Sequence, residues 1–345
     1  MTAPRHPTPP SMKAEGSSIR RFGLLLAAVL FIAACGSTSQ LHPTTAPPST
    51  AGPTPSPAPT ASPAPTQPAY PLTLTDDEGT SVAIATRPTH IVSLSPANTE
   101  IVWALGAGDR QVAGTDQDDF PTDAAALPDV VNYLTGVDVE KVVSLDADLV
   151  LAAGNGFNPP DAIARLRSLK IPVIVVYAAD VPGVLADIEL IGKAVGEWPK
   201  AAEMTAAMDQ RMDTIASAAG AKGSKPRTFY EIDATGAIYG PADGSFIVGL
   251  IQLAGGDPIT TGSTTVFQIS LEKLVAADPE IILLGDAAYG ATPEAVKQRP
   301  GWQGMTAVKN DAIRAVDDIV ITRPGPRLAD GLLALARAIH PDLGL

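Results

Sequence analysis

Cysteine is almost absent from this chain: one residue in 345, Cys35. A single thiol excludes an internal disulfide framework and any paired-cysteine zinc or redox motif. Histidine is nearly as scarce, with four residues, and His6 and His42 precede any stretch able to fold. His90 and His340 remain, too few for a histidine-cluster metal centre, so no metal and no cofactor are expected. Basic charge is also short, with 24 Lys and Arg against 37 Asp and Glu, a net charge of −13. Such a balance gives no electrostatic grip on phosphate backbones or anionic lipid, and nucleic acid is excluded as a partner. Aromatic residues make up only 5% of the chain, so the places where they gather carry information.

Proline, by contrast, is in excess at 33 residues, and the excess is concentrated before residue 70. Ahead of it, Arg20 and Arg21 precede an uncharged run from Phe22 to Ala34. At about 1.5 Å per residue that run makes about 20 Å of helix, well short of the roughly 30 Å hydrocarbon core, which marks a secretory signal rather than a membrane span. The run ends Ile32-Ala33-Ala34-Cys35, which looks like the lipobox of a bacterial lipoprotein. Residues 1–35 are read as a signal peptide whose Cys35 is lipidated, and the alternative is an ordinary signal with an incidental Cys. Met12 is a second candidate start. Removing residues 1–34 takes away four basic residues and one acidic residue and leaves a net charge of −16. Residues 36–69 hold ten Pro and no Asp, Glu, Lys or Arg. They lack the apolar surface to offset ordering and are expected to form a disordered tether, with a composition that also suits O-glycosylation. Extended at about 3.1 Å per residue, such a tether reaches about 100 Å. The expected location is the outer face of the cell membrane, held there through lipid alone.

From Tyr70 onward, short apolar runs at 91–94, 112–115, 149–152 and 173–177 alternate with helical patterns such as 98–105 and 161–169. Alternation of strand and helix implies a parallel sheet with helices on its faces. Ser95 and Pro96 supply a cap and a first-turn proline for the first helix. The segment Val137 to Leu151 reappears at Ile269 to Leu283, with Glu140/Glu272, Lys141/Lys273, Val143/Val275 and Asp146/Asp278 identical. The chain therefore holds one unit twice, and two similar lobes are expected, residues 70–179 and 221–345. Between them, Val184, Ile188, Ile191, Val195, Met204, Met208, Met212 and Ile215 fall at helical spacing. They predict one long connecting helix over 180–220, kinked at Trp198-Pro199 and packed as core, which would keep lobe movements small.

Ser93-Leu-Ser-Pro-Ala-Asn-Thr-Glu100, Leu105-Gly-Ala-Gly108, Ser144-Leu-Asp-Ala-Asp-Leu-Val150 and Arg323-Pro-Gly-Pro-Arg327 occur in that order. In these segments the chain resembles the ABC-transporter substrate-binding proteins for vitamin B12 and ferric siderophores. The resemblance implies an α/β fold of two Rossmann-like lobes with parallel sheets, joined by one long helix. It also implies a ligand held in the cleft between them and handed to a permease and ATPase complex. Open parallel sheets bind ligands at the carboxyl ends of their strands. In the first lobe those ends offer Ser95, Pro96, Ala97, Asn98, Phe120, Phe157 and Tyr177; in the second, Tyr230, Tyr239, Phe267, Tyr289, Arg323 and Arg327. Aromatic faces suit a large flat ligand such as a corrinoid, haem or iron chelate. The arginine pair is read as holding ligand oxygens, with a solvated basic pair, or one Arg clasping Asp317 or Asp318, as the alternatives. Asp116, Asp118 and Asp119 form an acidic cluster, read as a surface turn with a cation site as the alternative.

Relatives that bind B12 dock on permease arginines through one acidic residue per lobe. Here the corresponding positions are Pro160 or Asp161, and Gln252; Asp161 and Asp243 are the docking candidates. Leu134 and Ala153 replace aromatic residues that flank corrin in those relatives. An enzyme is not expected: there is no G-x-S-x-G, Cys35 is taken up by lipidation, and both remaining histidines look structural. The alternative is a lipid-anchored sensor, scaffold or hydrolase on the same fold. A monomer is expected.

Overall fold

The computed structural model describes residues 69–345, all within one compact unit; the signal, Cys35 and nearly the whole tether lie outside the described residues. A hairpin of β1 (Leu72–Thr75) and β2 (Ser81–Ile84) opens the fold. Then come β3 (Ile91–Ser93), α1 (Pro96–Ala104), β4 (Gln111–Thr115), β5 (Asp129–Asn132), β6 (Gly136–Val137), α2 (Val139–Ser144), β7 (Leu149–Ala153), α3 (Pro160–Ser168) and β8 (Val173–Val176). Their strands form one sheet in the order β6-β5-β4-β3-β7-β8, parallel except for the β5–β6 pair.

After α4 (Val181–Val195) and α5 (Trp198–Gly220), the second lobe runs through β9 (Arg227–Glu231), β10 (Ile238–Tyr239), α6 (Phe246–Leu253), β11 (Asp257–Pro258), β12 (Gln268–Ile269), α7 (Leu271–Ala277) and β13 (Ile281–Leu284). It ends with α8 (Pro293–Lys297), α9 (Thr306–Lys309), β14 (Ile313–Ala315), α10 (Asp318–Thr322) and α11 (Leu328–Ile339). Its parallel sheet has the order β11-β9-β13-β14, and β10 and β12 pair apart from it. The order β4-β3-β7-β8 of the first lobe matches it strand for strand, so the two lobes repeat one topology.

The repeated segment carries the same local devices in both copies. Asp138 caps α2 by accepting from the Lys141 amide, and Ser270 caps α7 by accepting from the Lys273 amide. Each short helix then turns at an aspartate in the left-handed region, Asp146 at φ 52° and Asp278 at φ 45°. Aspartate tolerates that conformation better than most residues. Two residues further on, Asp148 accepts from the His90 amide at 2.9 Å and Glu280 from the Arg227 amide at 3.0 Å. A carboxylate in each lobe thus pins the start of its neighbouring strand.

Successive strand residues face opposite layers, as a period of two requires. Leu149 and Leu151 point toward the interior shared by both lobes, whereas Val150 and Ala152 join a separate cluster with Ile163 and Leu166 of α3. In the second lobe Ile281 and Leu283 face the shared side, and Ile282 and Leu284 pack with Leu274 and Trp302. The shared cluster runs through α4, α5, α6 and α11 without a break between the lobes.

The single helix expected over 180–220 is two helices. Gly196 ends α4 in the left-handed conformation at φ 75°, and Pro199, with no amide hydrogen to give, sits in the first turn of α5. The chain reverses there: a Cβ on Gly192 would come 2.3 Å from the Ala201 Cβ, so α4 and α5 lie against each other. Helix α5 alone makes the long crossing, and its Met208, Met212 and Ile215 are buried as the periodicity predicts.

Glycine at two helical positions should respond oppositely to a methyl group. A Cβ on Gly331 of α11 would meet the Val320 carbonyl oxygen at 2.2 Å and Ile321 Cα at 2.8 Å, whereas nothing lies within 4 Å at Gly249 of α6. Gly331→Ala is expected to destabilise by about 1–3 kcal/mol through overpacking, and Gly249→Ala to stabilise by up to about 1 kcal/mol through helix propensity. Thermal denaturation of the two variants checks this, and a gain for both would contradict the close approach of α11 to α10.

Candidate ligand-binding cleft

Both sheets are parallel, so each sends the carboxyl ends of its strands toward one edge, and loops gather there at the point where strand order reverses. The exit of β3 is built tightly. The Ser93 hydroxyl donates to the Ser95 carbonyl at 2.8 Å, and the Ser95 hydroxyl accepts from the Asn98 amide at 3.3 Å, capping α1. Asn158 joins this exit to that of β7: its Nδ2 donates to the Leu94 carbonyl at 2.9 Å while its Oδ1 accepts from the Ala153 amide at 2.7 Å. Ser95 and Asn98 are buried, Pro96 and Ala97 half-buried, and the Asn98 Nδ2 has no partner among the described residues.

Around this floor the aromatic side chains stand exposed. Phe120 follows β4, Tyr133 and Leu134 follow β5, Phe157 follows β7 and Tyr177 follows β8. In the second lobe Ile232 follows β9, Tyr239 lies in β10, Phe267 precedes β12 and Tyr289 follows β13, and all are exposed. Exposure runs from 36% for Tyr239 to 87% for Tyr289. Tyr177 is oriented at both ends: its amide donates to Asp77, and its hydroxyl accepts from the Asn155 side chain at 2.8 Å. Tyr133 was not among the expected site residues, although its place directly after β5 was a usable signal.

Tyr230, expected on the cleft surface, is 1% exposed. Its hydroxyl donates to Asp318 at 2.5 Å, and its ring lies where a Cβ on Gly285 would be, 2.5 Å away. Burial, with Asp318 beside it, pushes the hydroxyl far above its ordinary range. Residue 229 faces one layer and residue 230 the other, so Tyr230 packs into the interior shared by both lobes. Next to it, Arg299 forks onto both oxygens of the fully buried Glu231 at 2.5 and 2.8 Å. Burial raises the Glu231 carboxyl despite that fork, and Asp286, hydrogen-bonded to it, is raised by burial too.

Arg323 and Arg327 lie where the two lobes touch, and their guanidiniums are engaged by carboxylates of the opposite lobe. Arg323 Nη1 donates to Glu100 at 2.7 Å and to Asp119 at 2.5 Å. Arg327 donates from Nε and Nη2 to the two oxygens of Glu100, at 2.9 and 2.5 Å, and its guanidinium lies 4.5 Å from the centre of the Phe120 ring. The Glu100 hydrogen bond is the largest influence raising Arg327 above the usual guanidinium range. Asp317 and Asp318 are used elsewhere, as the cap of α10 and the acceptor for Tyr230. The three acidic residues of the 116–119 turn are separately tied as well. Asp116 accepts from Asn132 and the Tyr133 amide, Asp118 from Thr99 and Thr115, and Asp119 from Arg323.

Comparison with known proteins agrees with this architecture. A family model described as periplasmic binding protein matches residues 91–320. The chain belongs to the periplasmic binding protein family. It is 32% identical over 323 residues to a Bacillus subtilis protein named an uncharacterized ABC transporter substrate-binding lipoprotein, covering 92% of this chain and 96% of that one. It is also 32% identical over 282 residues to a cobalamin-binding protein of Halobacterium salinarum, covering 79% and 75% of the two chains. Among solved structures, the periplasmic vitamin B12 binding protein of Vibrio cholerae superposes with a TM-score of 0.64 at 26% identity, over 75% of this chain and 99% of that one. A periplasmic heme-binding protein holding two hemes superposes at 0.67 with 25% identity, over 74% and 99%. These relatives are binding proteins, not enzymes. As in them, two lobes of parallel sheet face one another.

One carboxyl of α4 is buried beside another. Asp187 of α4 is 6% exposed and hydrogen-bonded to Asp77, the residue that orients the Tyr177 amide. Burial, then the Asp77 charge, pushes the Asp187 carboxyl up from 3.8 to about 8. A carboxyl raised in the folded state contributes stability that is complete below its unfolded value and is lost as pH rises through the folded one. Stability tied to Asp187 should therefore fall between about pH 4 and pH 8, and Asp187→Asn should flatten that fall. Melting temperatures across this window test it, and parallel curves for both proteins would remove Asp187 as the cause.

Proposed function

We propose that this protein is the lipid-anchored capture component of an ABC importer. It takes a large flat ligand, a corrinoid, haem or iron chelate, into the cleft between its lobes and presents it to a membrane permease and its ATPase. The observation that carries this reading is the two-sided aromatic rim. Phe120, Phe157 and Tyr177 on one lobe and Tyr239, Phe267 and Tyr289 on the other are all exposed, in strands or in the loops beside them. Exposed apolar rings gathered at one edge mark a binding site, because isolated surface aromatics gain nothing by clustering. The names of the relatives support the ligand class and the transport role. Ser95, Pro96, Ala97 and Asn98 line the floor, and Arg323 and Arg327 form its back wall. No helix among the described residues is long and apolar enough to cross a membrane.

Docking on the permease is assigned to acidic residues on the rims. Asp161 is exposed in the first turn of α3, and Asp243 lies ahead of α6, where its carboxylate accepts from the Gly262 amide at 3.1 Å. Two results are expected. Full-length protein in detergent should bind a corrinoid, haem or ferric siderophore at micromolar or tighter affinity, read by fluorescence quenching, and Tyr289→Ala or Phe157→Ala should weaken it about tenfold, as loss of a contact aromatic does. Asp161→Arg should leave that affinity unchanged and abolish uptake in cells. A panel of all three ligands giving no quenching would remove the proposal.

A further inference from the structure

The turn of the β1–β2 hairpin is stitched to the edge of the first lobe's sheet. The Asp77 amide donates to the Val175 carbonyl of β8 at 3.1 Å, and Asp76 accepts from the Val175 amide at 3.2 Å. The Asp77 carboxylate then accepts from the amide of Tyr177, the first residue past β8, whose hydroxyl accepts from Asn155 in the turn after β7. Asp187 of α4 meets Asp77 as well. It is 6% exposed, and the two carboxyl groups are hydrogen-bonded to each other. Such a contact needs a proton between them, because neither carboxylate has a hydrogen to give. Among the described residues no cation stands in for that proton. Arg167 is used on Asp76 and Glu78, and Lys193 of α4 lies over Trp198. Of the helices packed against α4, α6 carries no charged residue, Glu100 of α1 is held by Arg323 and Arg327, and no charged group of α5 acts on Asp187. On α4 itself Asp180 accepts from the Gly183 amide and Glu189 from the Thr205 hydroxyl.

We infer that Asp187 is a positioning residue for ligand binding: through a proton shared with Asp77 it holds the hairpin turn against the Tyr177 amide, and so sets one rim aromatic of the first lobe. This rests on the proposed function and adds a proton as a regulator of that site. The path is short, and each link is a contact: Asp187 to Asp77, Asp77 to the Tyr177 amide, and the Tyr177 hydroxyl to Asn155, two residues before Phe157. While the proton is present the pair carries one negative charge, and Asp77 keeps an oxygen for the Tyr177 amide. Once it leaves, two like charges face each other with no cation between them, and one must move toward water. Asp187 is fixed on a helix whose Val184, Ile188 and Ile191 are buried in the core. Asp77 lies in an exposed turn, with Gly79 two residues on at φ 75° and nothing within 4 Å of where its Cβ would stand. Asp77 is therefore the side that yields, and Tyr177 loses its amide partner with it. Burial keeps the proton on Asp187, whose carboxyl is pushed up to about 8, so the change falls at mildly alkaline pH.

The test uses full-length protein in detergent between about pH 6 and about pH 9, below the range where tyrosine itself titrates. Its first arm needs neither ligand nor variant. Hydrogen exchange at the Tyr177 amide, corrected for the intrinsic pH dependence of exchange, should lose protection about fivefold by the alkaline end. Asp187→Asn, whose side-chain amide donates to Asp77 at every pH, should keep that protection constant. Cyanocobalamin, haemin and ferric enterobactin are then titrated at both ends of the range. A ligand that binds should bind the wild type about fivefold more weakly at the alkaline end, Asp187→Asn should bind it equally at both, and Tyr177→Ala should bind it weakly and equally at both. By reciprocity, saturating ligand should move the exchange transition of the wild type to higher pH. Protection or affinity that does not change with pH in the wild type, the same fall of affinity in Asp187→Asn, or a fall that persists in Tyr177→Ala would each overturn the inference and leave the capture function standing. Failure of all three ligands to bind the wild type would overturn the capture function and this inference together.

Discussion

A carboxylate buried to 1% exposure must be fully paired, because removing it from water costs several kcal/mol that only close opposite charge and hydrogen bonds return. Glu100 meets this condition by drawing in two arginines from the other lobe, 223 and 227 residues away in sequence. Other features are shaped to let it do so. Gly331 allows α11 to lie against α10, and α10 leads directly into Arg323. Gly114 leaves room for Asp118, whose carboxylate would sit 2.1 Å from a Cβ there. Asp118 in turn holds the turn that offers Asp119 to Arg323 and Phe120 to Arg327. The backbone at each point is arranged around one ionic clasp between lobes.

The clasp works on a body that is already stiff. The apolar cluster lined by α4, α5, α6 and α11 is continuous from one lobe into the other, so opening them widely would expose close-packed surface at about 25 cal/mol per Å². The helix hairpin at Gly196 strengthens this, since α4 braces α5 along its length where one kinked rod would have stood alone. A cleft held this way exists before ligand arrives, and little binding energy is lost to ordering it.

Local chemistry made much of the fold legible in sequence. The Ser95 cap, the proline at the start of α1, the two-residue alternation in the strands and the repeated aspartate turns each depend on neighbours within a few residues, and each is present. The doubled segment revealed the two lobes because its copies use the same caps and strand pins. The break in the connector was missed because the apolar spacing continues across Gly196, although a glycine followed closely by a proline is a stop and start signal. Tyr230 lies near the carboxyl end of its strand, but alternate strand residues face opposite sides and its side chain turns into the core. The engagement of Arg323 and Arg327 left no trace in sequence, because their partner acid sits on a helix of the other lobe, more than 200 residues away.

A carrier must also let go, and the distribution of rigidity suggests where. The floor is tied by Asn158 and the capped start of α1, and the back wall by the clasp. The rim differs. Gly156 next to Phe157 and Gly290 next to Tyr289 both take positive φ, at 77° and 105°, and nothing lies within 4 Å of where a Cβ would stand on either. Phe157 and Tyr289 beside them are 61% and 87% exposed, so little packed surface holds either turn. Separating the lobes, by contrast, means breaking a buried ion pair and uncovering a shared core.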